Sequence, residues 1–369
     1  MTGDGGSAGG AGADGTVDRV AFGGQIPGDR VADGSLLEVT DLRVSFNTED
    51  GVVRAVDGVS FALAEGETLG IVGESGSGKS VTMMSVMRLI VDPNARFSGS
   101  AVYRGRDLMK LGKTEMRAVR GSEIAMIFQD PMTSLNPVYK VGWQIAEQIR
   151  AHQHLSAKAA QARAVELLAA VGIPRPERRA DDYPHQFSGG MRQRVMIALA
   201  LSCNPSLLIA DEPTTALDVT IQAQILALIK RLRADFGSSV VLITHDMGVV
   251  AETTDRVAVM YAGRIVEQGT TREIFYDPRH PYTWGLLGSI ARLDRPKPRR
   301  LATIPGSPPS LAALPRGCAF ADRCAFRFDQ CDSVPPLVSQ SGDDHLDACF
   351  LTPTQKREQR KTMLSGKLT

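Results

Sequence analysis

Eight residues constrain this chain more than any others: Gly73-Glu74-Ser75-Gly76-Ser77-Gly78-Lys79-Ser80. They follow TLGIVG, a short apolar run of the kind that forms a buried strand, and lead into SVTMMSVMRLI, which reads as a helix. A G-x-x-x-x-G-K-[ST] loop in that setting is a phosphate cradle. Gly73, Gly76 and Gly78, interleaved with Ser75 and Ser77, allow backbone angles at which successive N–H groups converge on phosphate oxygens. The helix N-terminus adds its positive dipole end. Lys79 is expected to reach the β- and γ-phosphates of a nucleotide, and the Ser80 hydroxyl to ligate Mg²⁺. An accidental Gly/Ser turn is a poor account of eight matched positions.

The surrounding sequence predicts an α/β fold. Residues 1–34 are dominated by Gly, Ala, Asp and Ser and bury too little apolar surface to offset the entropy of ordering, so a disordered tail is expected. Order is expected from Leu36, where LLEVTDLRVSF and VVRAVDGVSFAL read as two strands turned at Glu49-Asp50-Gly51. The pattern is helical from about 145 to 172 and is broken at Asp182-Tyr183-Pro184. A helix around Arg192–Leu201, the strand LLIAD, a helix over Val219–Phe236, the strand VVLIT and finally VAVMYAGRIVEQG follow. Buried strands alternating with helices imply a parallel sheet covered on both faces. Past about residue 276, Pro and Arg become frequent and periodicity fades, which marks a boundary.

Length and charge add exclusions. The 369 residues accommodate one large α/β domain and a smaller appendage. A net charge of +1 argues against a nucleic-acid partner. No run approaches the about 20 apolar residues of a spanning helix, and no signal-peptide pattern opens the chain. A soluble cytoplasmic protein is expected, with any membrane role arising through a partner.

Leu207-Leu208-Ile209-Ala210-Asp211-Glu212 is an apolar strand ending in two carboxylates. Asp211 suits the Mg²⁺ water shell, and Glu212 suits the polarisation of an attacking water. Upstream stands Phe187-Ser188-Gly189-Gly190-Met191-Arg192-Gln193-Arg194, in which Ser-Gly-Gly alone is a helix N-cap. Asp211-Glu212-Pro213-Thr214-Thr215-Ala216-Leu217-Asp218, Thr244-His245-Asp246 and IFQDPMTSLNP with Gln129 complete the set.

Together, over about residues 36–350, these segments resemble the ATPase subunits of ABC transporters. The resemblance implies a P-loop ABC cassette with an antiparallel β subdomain and a helical signature subdomain (about 130–200), the whole spanning 35–275. It implies head-to-tail pairs of chains with two ATP molecules between them. Lys79, Ser80, Gln129, Asp211, Glu212 and His245 would then serve one ATP, with Ser80, Gln129 and Asp211 around Mg²⁺ and Glu212, Gln129 and His245 catalytic. Ser188, Gly189, Gly190 and Asp218 would serve the partner's ATP. A helix N-terminus aimed at a γ-phosphate is favourable only while that phosphate is present, which couples hydrolysis to separation. Phe46 is the candidate for stacking on adenine, with an ordinary core Phe as the alternative. Met191, where the family's commonest signature has Gln, resembles one of two ATPase types in peptide importers and implies a second, paralogous ATPase as partner.

Beyond the boundary come His280-Pro281-Tyr282-Thr283, Ile304-Pro305-Gly306-Ser307-Pro308-Pro309, and Cys318, Cys324, Cys331 and Cys349. This order resembles the C-terminal extension of dipeptide and oligopeptide import ATPases and, less closely, of nickel importers. The extension is assigned to 276–352, and 353–369 reads as a basic tail. The spacing C-x₅-C-x₆-C-x₁₇-C lacks the C-x₂₋₄-C pairs usual for structural zinc. Four thiolates at wider spacing suit a [4Fe–4S] cluster, with zinc or unliganded thiols as alternatives. Arg316, Arg323 and Arg327 are candidates to offset cluster charge. His345 reads as a surface histidine, with a substitute ligand as the alternative, and Cys203 as a small buried hydrophobe.

The leading expectation is an ATP-hydrolysing subunit driving di- or oligopeptide import from the cytoplasmic face of the bacterial membrane. Its implied partners are two membrane permeases, whose short helices would meet the Gln129–Tyr139 surface and the helical subdomain, and an extracytoplasmic peptide-binding protein. A nickel importer, or a soluble ABC ATPase of DNA repair or translation, is the alternative.

Overall fold

The computed structural model describes residues 34–130, 134–215, 217–289 and 304–364, so the tail expected over 1–34 lies outside them apart from Gly34. The strands are β1 Ser35–Thr48, β2 Gly51–Ala64, β3 Thr68–Val72, β4 Ala95–Tyr103, β5 Arg106–Asp107, β6 Ile124–Ile127, β7 Leu207–Asp211, β8 Ser239–Thr244, β9 Arg256–Tyr261, β10 Arg264–Thr270 and β11 Leu346–Asp347. The helices are α1 Lys79–Val86, α2 Lys113–Ser122, α3 Val141–His152, α4 Ala157–Ala170, α5 Pro176–Arg179, α6 Gly189–Ala200, α7 Val219–Phe236, α8 Met247–Thr253, α9 Thr271–Tyr276, α10 Pro281–Gly288 and α11 Pro353–Leu364.

One sheet is antiparallel, in the order β2-β1-β4-β5. The other runs β11-β10-β9-β3-β8-β7-β6. Its β9-β3-β8-β7-β6 section is parallel, and β10 and β11 extend it antiparallel. Every residue of β3, β7 and β8 is buried, as continuous apolar strands covered on two faces require.

Alternation of apolar residues sends Leu42, Val44, Val56 and Phe61 of the antiparallel sheet against Leu69 and Ile71 of β3 and Met83 of α1. That seam seats the helix on which the phosphate loop ends. A second core joins α3, α4, α6 and α7 to β7, with Ile145, Leu168, Ile197 and Leu228 among its members. It forms the helical subdomain. A third packs Tyr261 of β9 and Ile274 of α9 against Tyr282 and Phe320 of the C-terminal region.

The elements differ from expectation in four places. The helical stretch at 145–172 is two helices, because Ser156 caps a new start by accepting from Ala159 N–H. Helix α1 stops at Val86 rather than running to Ile90. Arg88 turns into the left-handed region at φ 50°, and Leu89 N–H and Arg88 N–H return to Met84 and Ser85 carbonyls. VAVMYAGRIVEQG folds as a hairpin, with Ala262 and Gly263 both at positive φ in a two-residue turn. Most of the basic tail at 353–369 is helix α11, and the C-terminal extension supplies the edge strand β11.

Candidate functional site

The phosphate loop leaves β3 through Gly73 (φ 154°), where a Cβ would stand 2.1 Å from the Met260 carbonyl oxygen. It enters α1 through Gly78 (φ 99°), where a Cβ would stand 2.3 Å from the Ala55 carbonyl oxygen. Both glycines are therefore steric requirements. Ser75 and Gly76 are exposed at the tip, while Ser77 is buried with its Oγ unpartnered among the described residues. The Lys79 Nζ, buried and held across the loop, donates to the carbonyls of Gly73 (2.9 Å) and Glu74 (3.1 Å). Burial pulls its pKa down, and Glu212 and Asp211 pull the other way. The Ser80 hydroxyl donates to Asp211 Oδ1 at 2.7 Å. Burial raises the Asp211 pKa, opposed by that hydrogen bond.

Strands β3, β8, β7 and β6 are parallel neighbours, so the residues after them gather on one edge of the sheet. Glu212 follows β7, Gln129 follows β6 and His245 follows β8. Gln129 Nε2 donates to Glu212 Oε2 at 3.2 Å, Thr215 Oγ1 donates to the same oxygen at 2.8 Å, and His245 Nδ1 lies 3.4 Å from Oε1. Glu212 sits at φ 43°, a left-handed conformation that costs a non-glycine residue about 1–3 kcal/mol. A carboxylate fixed in this way can accept a proton from water, with Lys79 and the loop amides nearby to meet an anionic phosphate.

Ser188 caps α6, accepting from Met191 N–H at 3.4 Å, above a buried Phe187. Ser188, Gly189 and Asp218 are exposed. A Cβ on Gly189 would lie 3.7 Å from Leu217, and one on Gly190 2.9 Å from Ile221, so the signature and the Asp218 turn share one outward face. Phe46 is half-buried on β1, opposite Ala95 and Val53, and packs on the core between the sheets.

Cys318, Cys324, Cys331 and Cys349 are unpaired and line one small cavity with Phe320, Phe326, Phe328 and Leu351. Burial raises the Cys318 thiol and pushes Cys324 up to about 11 and Cys349 up to about 12. Among the described residues, no three His, Cys, Asp or Glu side chains are grouped to hold a metal ion. Cys203 is buried, as expected. His345 is not a surface histidine: it is fully buried, with Nε2 2.7 Å from Glu267 Oε1. The arginines near the thiols are already engaged, Arg327 by Asp322 and Asp332 and Arg323 by Glu74. Arg327 nonetheless also interacts with the Cys331 thiol, and among the described residues Arg264 acts on Cys318 and Lys356 on Cys349.

Sequence reasoning passed over Thr215, Glu74 and Tyr282, and read Arg323 only as a candidate to offset cluster charge rather than as the partner of Glu74. Thr215 had a signal, since it lies three residues after Glu212 in the same motif. Arg323 had none, because 249 residues separate it from Glu74.

Residues 56–215 match the family described as ABC transporter, and residues 266–331 match that described as oligopeptide/dipeptide transporter, C-terminal region. The chain is 55% identical to the oligopeptide transport ATP-binding protein OppD of Bacillus subtilis, over 90% of this chain and 94% of the relative. It is 53% identical to the dipeptide transport ATP-binding protein DppD of the same organism, over 90% and 98%. OppD of Salmonella typhimurium is 53% identical, over 85% and 93%. Among solved structures, the dimeric bacterial ABC transporter cassette MJ0796 superposes with a TM-score of 0.57 at 28% identity, covering 64% of this chain and 99% of that one.

Proposed function

The chain belongs to the family of ABC-transporter ATP-binding subunits that includes the oligopeptide and dipeptide transport proteins, and on that premise we propose that it hydrolyses ATP to power peptide import. The observation that carries this is the convergence of Lys79, Ser80, Asp211, Glu212, Gln129 and His245 on one sheet edge, in a chain whose residues 266–331 are of the peptide-transporter type.

In this reading Lys79 leaves its two carbonyl contacts for the β- and γ-phosphates, and the buried Ser77 hydroxyl gains a phosphate acceptor. Ser80, Asp211 and Gln129 hold Mg²⁺. The ion, when bound, neutralises charge on the β- and γ-phosphates. Their fit to it rests on chemistry: a hydroxyl, a carboxylate and an amide oxygen are hard oxygen donors. Glu212 takes the proton of the attacking water, and His245 senses the γ-phosphate from the neighbouring strand. Phe46 stacks on adenine with its uncovered part.

Ser188, Gly189, Gly190 and Asp218 serve an ATP held by a second, paralogous ATPase, a reading that the exposure of Ser188, Gly189 and Asp218 supports. Two permeases dock on the helical subdomain. Tyr139 and Trp143, exposed and stacked at 4.4 Å, and a groove of about 540 Å³ lined by Arg120, Phe128, Gln148 and Leu199 are suited to receive short helices. An extracytoplasmic peptide-binding protein delivers the substrate, and the chain works at the cytoplasmic face of the membrane. Among the described residues no helix is long and apolar enough to cross it.

The four cysteines are assigned to a [4Fe–4S] cluster. Four unpaired thiols lining one apolar cavity supply its donor set. Bound iron would stabilise thiolates at Cys318, Cys324 and Cys349 against the burial that now raises their pKa values.

The deciding experiment is transport. Reconstituted with its permeases and binding protein, the wild-type chain is expected to drive MgATP-dependent accumulation of a labelled di- or oligopeptide in vesicles. Accumulation of nickel instead, or hydrolysis with no transported solute, would overturn the substrate class.

A further inference from the structure

Glu74 occupies the first variable position of the phosphate loop, and the C-terminal region holds it from two sides. Arg323 Nη1 and Nη2 donate to Glu74 Oε2 and Oε1 at 2.6 and 3.0 Å, a bidentate fork. The Tyr282 hydroxyl accepts from Glu74 N–H at 2.8 Å. On the loop side, the Glu74 carbonyl accepts from Ser77 N–H at 3.2 Å and from Lys79 Nζ at 3.1 Å. A single residue thus links the cysteine-bearing segment to the lysine expected on the phosphates.

The guanidinium is aimed independently of Glu74. Its Nε donates to the Pro305 carbonyl at 2.8 Å, and the Tyr261 and Phe320 rings lie 5.8 and 6.0 Å from its central carbon. The Arg323 side chain is 6% exposed and the Glu74 side chain 29%, so the ion pair is shielded from water far more than a surface pair. The same region also reaches the other end of the loop. The Leu311 carbonyl accepts from Arg54 N–H at 3.0 Å, next to the Ala55 carbonyl that Gly78 abuts.

We infer that Arg323 is a positioning residue for the phosphate loop: by clamping Glu74 it holds the turn in which the loop amides and Lys79 meet phosphate. The extension is then part of the nucleotide site. The inference rests on the reading that this loop binds ATP. A contact of merely structural value would lower thermal stability and leave nucleotide affinity alone. A clamp changes affinity for MgATP while sparing the chemical step, because neither Arg323 nor Glu74 touches the Glu212 group.

The test uses the full-length chain and a fluorescent ATP analogue with Mg²⁺, comparing wild type, Arg323→Gln, Arg323→Lys, Glu74→Gln and the Glu74→Gln/Arg323→Gln pair, with Lys79→Ala as control. Each glutamine variant is expected to weaken binding about three- to tenfold, and the pair to be no weaker than either alone. Lysine, which keeps the charge without the fork, is expected to restore part of the loss. In the assembled transporter KM for ATP is expected to rise while kcat stays within about twofold. Wild-type affinity in both single variants, or additive losses in the pair, would sink the clamp. If Arg323→Gln fails to fold, Glu74→Gln decides, since its side chain is partly exposed. Nucleotide retained by Lys79→Ala would instead sink the ATP reading itself.

Discussion

Glu212 combines a left-handed backbone with a carboxylate held by Gln129, Thr215 and His245, and its chemistry depends on charge more than on shape. Glu212→Gln keeps an oxygen for Thr215 and removes the proposed base. It is expected to lower phosphate release by about 10²-fold or more, a general-base effect, while MgATP binding persists. Near-normal steady-state turnover would remove Glu212 from that role. Lys79→Ala is expected to lose nucleotide retention on an equilibrium filter, because Lys79 is a buried cation of the loop and the one proposed to reach the phosphates. Most of these residues were legible beforehand, because motif spacing dictates which residue ends which strand. What the motifs did not carry was the Thr215 hydrogen bond or the grip on Glu74, both set by side-chain directions after folding.

Helix α10 starts at His280, whose Nδ1 accepts from Tyr282 N–H and whose ring is fully buried. Burial lowers its pKa to about 4 from the usual 6.5, with Lys356 adding to the lowering and Glu267 opposing it. Above pH 6.5 the ring is neutral in both states and contributes no pH dependence. As pH falls from 6.5 towards 4 the unfolded chain takes up a proton that the native one refuses, so stability declines, by about 3 kcal/mol at most. Urea midpoints measured between pH 7.5 and 4.5 are expected to slope less in His280→Asn, which keeps an N-cap acceptor. An unchanged slope would assign the acid sensitivity elsewhere. Helix α11 lends a second test. Lys356 and Asp347 form an ion pair with side chains 4% and 0% exposed. Lys356→Met leaves a buried carboxylate uncompensated and is expected to cost about 3–5 kcal/mol by chemical denaturation. A loss below about 1 kcal/mol would mean that the pair is dispensable. Neither α11 nor β11 was visible in the sequence: a basic amphiphile reads as solvated until a partner such as Asp347 is known.

Ser188, Gly189 and Asp218 are exposed on an outward face while the phosphate loop follows β3, so on the proposed reading a chain acting alone would leave half of this machinery idle. With the proposed paralogous ATPase, Glu212→Gln plus MgATP is expected to give a stable heterodimer by light scattering, and Lys79→Ala is expected to stay monomeric. Dimers that form equally without nucleotide would remove ATP from the interface. Anaerobically purified protein is expected to carry about four iron and four labile sulfide per chain, the composition of a cubane bound by four thiolates. Stoichiometric zinc without iron would replace that assignment. By itself the sequence determined the α/β class, the glycine-rich loop between β3 and α1, the order of the candidate site residues along the chain and the existence of a cysteine-bearing extension. Those features are local, since periodicity and motif spacing act between residues near in the chain. Tertiary structure alone decided that the extension completes the sheet through β11, buries His345 against Glu267 and seats Arg323 on Glu74. Contacts between residues hundreds of positions apart depend on how layers stack, and no short-range pattern encodes them.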